Sequence, residues 1–242
     1  VDGTIGVYAD CYTPQIIANG TVEIYDSCVL SCLALEGNFS FTGNGTIKVD
    51  GKVTTEDCFI GLYTKIEAEE CELSGIIDGT LKVSGTTYID YESQVHGKLI
   101  TGYLVIGHNL DIDGIVEVKN DVYSNYSYTT VDGHMLVYGN IYSYQNRIYG
   151  GWGGTGTIEL KGNLECDSEG VYFEKVTLKL SGDKSQLIGG TGNSVFIASL
   201  EATNPQITTN SGFTVEKLLS DLTLNGEIPY LKIESYNGHS VK

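Results

Sequence analysis

Positive charge is scarce in this chain: 14 Lys and Arg together stand against 31 Asp and Glu, a formal net charge of −17, and Arg147 is the one arginine. Nucleic-acid phosphates and anionic lipid are repelled by such a surface and find no set of guanidinium clamps, so nucleic-acid binding is excluded as a class. No apolar run approaches the roughly 18–20 residues that span a bilayer, so membrane insertion is not expected either. Proline (3 residues) and methionine (1) are rare, whereas glycine is abundant at 31 residues. Glycine without proline points to many tight turns between short strands, not to a stiff linker. The six cysteines form no Cys-x-x-Cys pair, which removes zinc ribbons and thioredoxin-type motifs. His-Glu-x-x-His, the Gly-x-Ser-x-Gly nucleophile elbow and the phosphate-binding P-loop are all missing.

What is present is a repeat. Glycine, a small or apolar residue, then apolar–charged–apolar recurs as GTVEI from Gly20, GTIKV from Gly45, GTLKV from Gly79, GIVEV from Gly114 and GTIEL from Gly156. Weaker copies start at Gly97 and Gly133, and the starts at Gly79, Gly97, Gly114 and Gly133 are 18, 17 and 19 residues apart. Such a period, stretched in places by insertions, is that of a solenoid coil. Within each unit, Ile47 and Val49 alternate with Lys48, and Leu81 and Val83 with Lys82, the two-residue period of a strand with one dry and one wet face. The 17 tyrosines and the frequent Val, Ile and Thr favour strand over helix. One stretch, Val215–Leu222, reads as a short helix.

These features predict an all-β chain, a right-handed parallel β-helix of about ten or eleven short coils and a rod on the order of 50 Å long. A β-sandwich is the alternative; it would need longer strands joined by hairpins. The whole of 1–242 reads as one domain that opens in mid-pattern at Val1, as a piece cut from a larger surface protein would. Residues 123–155, rich in Tyr and Gly, read as an insertion standing off the rod.

The run of apolar–x–apolar–x–Gly units, clearest in VTLKLSGDKSQLIGG from Val176 and FTVEKLLSDLTLNGEIPYLKI from Phe213, resembles the β-helix repeats of bacterial cell-surface and adhesin-like proteins. GNLECDS from Gly162 is also similar to the repeat of bactofilins, which polymerise into scaffolds. The resemblance covers most of the chain, from about Gly20 to Ile233. It implies an extracellular or surface-exposed bacterial module with a structural or adhesive, non-catalytic role, binding a host or microbial glycan or protein, or associating with itself. Some β-helices act on polysaccharides, which makes a carbohydrate-active enzyme the alternative. The Asp-Asp pair and Gly-His-Gly segment of polygalacturonase-like hydrolases do not occur here, and Arg147 alone is a poor counterpart to the bases of pectate-lyase-like enzymes.

Three residue groups are singled out. Seven tyrosines fall between Tyr123 and Tyr149, followed by the sole tryptophan, Trp152. Aromatic rings with a polar handle suit sugar stacking and protein contact, so Tyr142, Tyr144, Arg147, Tyr149 and Trp152 form the candidate binding set. No organic cofactor is expected. Calcium is the one metal that acids and turns would suit, with Asp111 and Asp113 on one strand face as its candidate ligands. Cys11 precedes Cys28 by 17 residues and Cys32 by 21, about one coil, so it is expected to stack on one of them, as a disulfide or as reduced neighbours.

Overall fold

The computed structural model describes the chain except residues 1, 26, 126, 145–150, 167–170, 191–194, 204–205 and 227, and for Asp2 and Gly151 it describes the backbone alone. Strands make up 71% of it, and among the described residues there is no helix. Every strand pairing is parallel, and the strands wind into a β-solenoid of about 12 turns. At roughly 4.8 Å per coil this is a rod on the order of 58 Å long, slightly longer than the repeat count implied. One coil that the Gly-led motif does not announce is internal: Lys65 to Ala68 lies between the copies at Gly45 and Gly79, with Thr64 in place of the glycine.

Each coil has three sides. Val29–Gly43 runs along all three in succession, with breaks in register between Cys32 and Ala34 and between Gly37 and Phe39 where it turns the corners. On the first face, Asp2–Val7 pairs with Asn19–Ile24, and the column continues to Leu231–Ser235. The second face carries the recognisable repeat, with Thr46 to Val49 beneath Lys65 to Ala68 and these beneath Thr80 to Val83. The third face runs from Gln15–Ile17 to Leu224–Asn225.

Alternation decides what lies inside. On the second face Leu30, Ile47, Ile66, Leu81 and Leu99 stand above one another as one aliphatic column, which continues through Val116, Met135 and Ile158 to Leu218. Beside it runs Cys32, Val49, Ala68, Val83 and Thr101, all buried. A single coil could not cover these side chains; each is sealed by the coils above and below. Burial of a Val, Leu or Ile stabilises by about 1.5–3 kcal/mol, so the columns are the main source of cohesion. Outward neighbours pair by charge: Glu67 stands between Lys48 and Lys82 in register and contacts Lys65.

From Gly45 onward the repeat glycine marks the corner entering the second face, whereas the copy from Gly20 runs along the first face within Asn19–Ile24. A Cβ on Gly114 would lie 2.1 Å from the Gly97 carbonyl oxygen, and one on Gly133 equally close to the Gly114 oxygen. Neither needs a left-handed backbone. Only the absence of a side chain lets one coil settle on the next. Side chains complete the corners: Asp132 Oδ1 accepts from the Thr155 amide and hydroxyl at 2.7 and 2.8 Å. These two bonds hold the Asp132 carboxyl below the usual aspartate range.

Three expectations change. Phe213–Leu218 is a strand, so the helix read at Val215–Leu222 is absent; its Phe213 and Val215 face the core with the period of two. Cys11 sits in register with Leu30, midway between Cys28 and Cys32, and is exposed while both of those are buried. The expected cysteine stack is therefore not formed: the first coil advances 19 residues at this point, and neither cysteine lies that far on. Finally, the tyrosine-rich stretch does not stand off as a loop over its described residues. Val122–Asn125, Tyr128–Val131, His134–Val137 and Ile141–Tyr144 are ordinary rungs of the rod.

Candidate contact surface on the third face

Two-residue alternation on the third face buries Val122 and Ser124 and turns Asp121, Tyr123 and Asn125 outward. The next coil repeats this, with Ile141 and Ser143 inside and Asn140, Tyr142 and Tyr144 outside. The register sets Tyr123 beneath Tyr142 and Asn125 beneath Tyr144, and preceding coils add Tyr103, Val105 and Tyr88 to the same surface. The result is a stripe of aromatic rings running along the rod.

The geometry is ordered. The rings of Tyr123 and Tyr142 stack with centroids 5.1 Å apart and planes 11° from parallel. Asn140 Nδ2 donates to the Tyr142 hydroxyl at 3.0 Å, fixing that ring from the side. The corner beneath is a polar ladder: Asp121 Oδ1 accepts from the Asn140 amide at 2.7 Å, Asn140 Oδ1 from Asn163 at 2.8 Å, and Asn163 Oδ1 from Leu187 at 2.8 Å. Backbone donors that a tight corner would orphan are thus satisfied in series. Around that corner Tyr138 lies between Lys119 and Lys161, whose ammonium groups stand 4.8 and 4.9 Å from its ring centroid. Lys119 also contacts Glu117, and that hydrogen bond holds the Glu117 carboxyl below the usual range. The Tyr123 phenol is raised above its ordinary value, first by loss of water around it and then by the charge of Asp121.

Of the sequence-predicted binding set, Tyr142 and Tyr144 belong to this stripe; Tyr144 is 39% exposed and Tyr142 half-buried. Arg147 and Tyr149 lie outside the described residues. Trp152 does not reach the surface. It is 0% exposed, stacked on Phe173 with ring centroids 6.0 Å apart, and it stands above Thr129 in the core column. Trp152 is therefore a core residue of the first face: the alternation through Gly151–Gly153 turns it inward, and the flanking glycines resemble a loop only in composition. Its Nε1 has no partner among the described residues.

Asp111 and Asp113 diverge. Asp111 sits on the first face between Gln94 and Thr130, whereas Asp113, at the corner, faces His96 Nε2 at 3.7 Å. His96 Nδ1 meets Asp78 Oδ1 at 2.8 Å, so His96 stands between Asp78 and Asp113, away from Asp111. Among the described residues no three His, Cys, Asp or Glu side chains stand close enough to hold a metal.

Tyr88 and Tyr103 also belong to the stripe, and sequence reading passed over both. Tyr123 to Tyr142 is 19 residues, one coil, whereas Tyr103 stands two residues before Val105, the residue in register with Tyr123. Tyr103 is 40% exposed. What obscured the pattern is Val105, which interrupts the column between Tyr88 and Tyr123. Comparison with protein-family models, with curated proteins and with solved structures gave no match, so the architecture of a β-helix repeat protein is what the chain displays.

Proposed function

We propose that the chain is a non-catalytic structural or adhesive module of a bacterial surface or secreted protein, and that the tyrosine stripe of the third face is its contact surface. The stripe carries this reading: Tyr103, Tyr123, Tyr142 and Tyr144 stand together on a rigid sheet and expose rings that the fold does not need for its core. Rigid aromatics lose little entropy on contact, which suits recognition. The resemblance to adhesin-like repeats supports the same role. The test is retention of the purified chain on bacterial and host cell-surface material before and after a combined Tyr123→Ser, Tyr142→Ser, Tyr144→Ser change, with exposed Tyr63→Ser as control. Equal retention of all three proteins would overturn it.

Self-association of the bactofilin kind is the second reading. It is favoured by Leu231–Ser235, which among the described residues pairs on one side only, with Leu231 and Ile233 partly covered. Sedimentation across a concentration series distinguishes a rod that grows from one that does not.

A further inference from the structure

The tyrosine column of the third face has a gap. Successive coils place Tyr88, Val105, Tyr123 and Tyr142 in register. Tyr123 and Tyr142 are stacked on each other, so the second face of the Tyr123 ring looks over Val105. Two coil steps separate Tyr88 from Tyr123, about 9.6 Å. Next along the Val105 strand is Gly107, outward and exposed. A Cβ built on Gly107 would meet nothing closer than the Ile89 carbonyl oxygen at 3.5 Å, so the space above it is open. Asp90 and Asn125 flank Gly107 on the coils either side, and the Asp90 carboxylate lies 4.0 Å from that Cβ position. Together these residues outline a transverse notch, one coil wide. Val105 and Gly107 lie between Tyr88 and Asp90 on one coil and Tyr123 and Asn125 on the next, and Tyr103 stands outward two residues before Val105 on the same strand.

Shape and chemistry select the occupant. Atoms pack onto a ring face at about 3.5–4.0 Å, so a flat ring touching both walls needs roughly 7–8 Å. The notch is wider than that by about 2 Å, which a puckered saturated ring with hydrogens on both faces takes up and a flat aromatic ring does not. Tyrosine faces are electron-rich and attract the polarised C–H groups of a sugar. Neither Asp90 nor Asn125 has a hydrogen-bond partner among the described residues, so acceptors and an amide donor stand at the open end, where ring hydroxyls would project. Among the described residues no lysine or arginine lies in register with the notch, while Asp90 and Asp121 lie beside it; a carboxylated or sulfated sugar would be repelled.

We propose that this notch is a sugar subsite: it takes one neutral pyranose of a glycan, held between Tyr88 and Tyr123 with its hydroxyls on Asp90 and Asn125. The assignment rests on the third face being the contact surface and adds the ligand class and the place where it seats.

The test uses the whole chain and two panels of oligosaccharides, one of neutral hexoses and one containing uronates, with binding measured by calorimetry. Val105→Tyr fills the notch by completing the tyrosine column, and Gly107→Val closes its open end. Both sit on the outer face, and circular dichroism with thermal melts establishes that the variants fold. The expected result is binding of at least one neutral oligosaccharide, weakened at least tenfold by either filling variant, abolished by Tyr123→Ser, retained by Tyr123→Phe, and undetectable for the uronate panel. Neutral-sugar binding that survives Val105→Tyr and Gly107→Val, preference for uronates, or no binding to either panel overturns the subsite. Cell-surface retention that falls with Tyr142→Ser and Tyr144→Ser but is untouched by the notch variants also ends the subsite while leaving the contact face standing, and points to a protein ligand. Retention indifferent to all of them removes both.

Discussion

Replacing Val83 by aspartate should unfold the rod far more readily than replacing its neighbour Lys82. Val83 is 2% exposed and lies in register between Ala68 and Thr101, in the inner column of the second face. Loss of its buried apolar surface costs about 1.5–3 kcal/mol. The introduced carboxyl finds no partner: the Thr101 hydroxyl already donates to the Tyr103 carbonyl at 2.7 Å and stands 3.0 Å from the Thr87 hydroxyl. An unpaired polar group in such a place adds about 1–3 kcal/mol, and the carboxyl enters protonated because the charged form would cost more. Val83→Asp should therefore destabilise by about 2.5–6 kcal/mol, a large share of the 5–15 kcal/mol typical of a folded domain. Lys82 is exposed, and its main electrostatic partner is Glu67 in the adjacent coil. Lys82→Asp converts a weak attraction into a weak repulsion through water, under about 1 kcal/mol. Urea unfolding followed by far-ultraviolet circular dichroism reads both as midpoint shifts. Similar shifts for the two variants, or a larger one for Lys82→Asp, would refute the assignment of inner and outer positions.

Other outcomes follow from the same structure. Trp152→Ala should cost about 3–5 kcal/mol through the cavity left beneath Phe173, and the Trp152 emission of the native rod should resist soluble quenchers until denaturation. Of six thiols only Cys11 is exposed, while burial pushes the Cys32 thiol up to about 11 and the Cys58 thiol up to about 12. A thiol reagent at neutral pH should accordingly modify one cysteine quickly and the rest only as the chain opens. Glu117 has its carboxyl lowered by Lys119, so the pair stabilises the fold above the ordinary glutamate range, and that part is lost as pH falls through the lower folded value. Protonation also relieves the net charge of −17, so the pair is isolated by comparing wild type with Glu117→Gln: the variant's deficit should be a few tenths of a kcal/mol at neutral pH and vanish in acid. A deficit that grows on acidification would contradict this.

The parts of the fold that could be read from residues are those with strict local causes. Ile47, Lys48 and Val49 alternate because a strand has two faces, and Gly114 and Gly133 recur in phase because a coil corner touches the coil below through backbone alone. The parts that escaped depend on coil length, which no single residue states. Cys11 was paired with the wrong neighbours by two residues: it stands in register with Leu30 and is exposed. Trp152 was taken for a surface residue because Gly150 to Gly156 has the composition of a loop, yet Gly151–Gly153 is a strand of the first face and sets Trp152 in register above Thr129. Val215–Leu222 imitates a helix through the spacing of Val215, Leu218, Leu219 and Leu222, but the parallel partner Val195–Ala202 holds its first half extended. For the tyrosine stripe of the third face, tyrosine density pointed to Tyr142 and Tyr144, which the register places on it. Tyr88, Tyr103 and the gap at Val105 were not legible, because adjacency across coils appears only once the register is known.

The stacked corner glycines make length a quantity this architecture can change in whole steps. Removing residues 97–113 joins His96 to Gly114 and brings Val116 over Leu81 and Val118 over Val83, apolar on apolar, with a glycine again meeting the carbonyls of the coil beneath. The rod shortens by about 4.8 Å and keeps its cross-section. Removing one residue from a strand instead turns every later inner side chain of that rung outward. Slippage between tandem units of about 18 residues is therefore tolerated where point deletions are not. A lineage of such chains should vary in coil number, lengthening or shortening the rod in steps of one coil while its tyrosine stripe keeps its place on the third face.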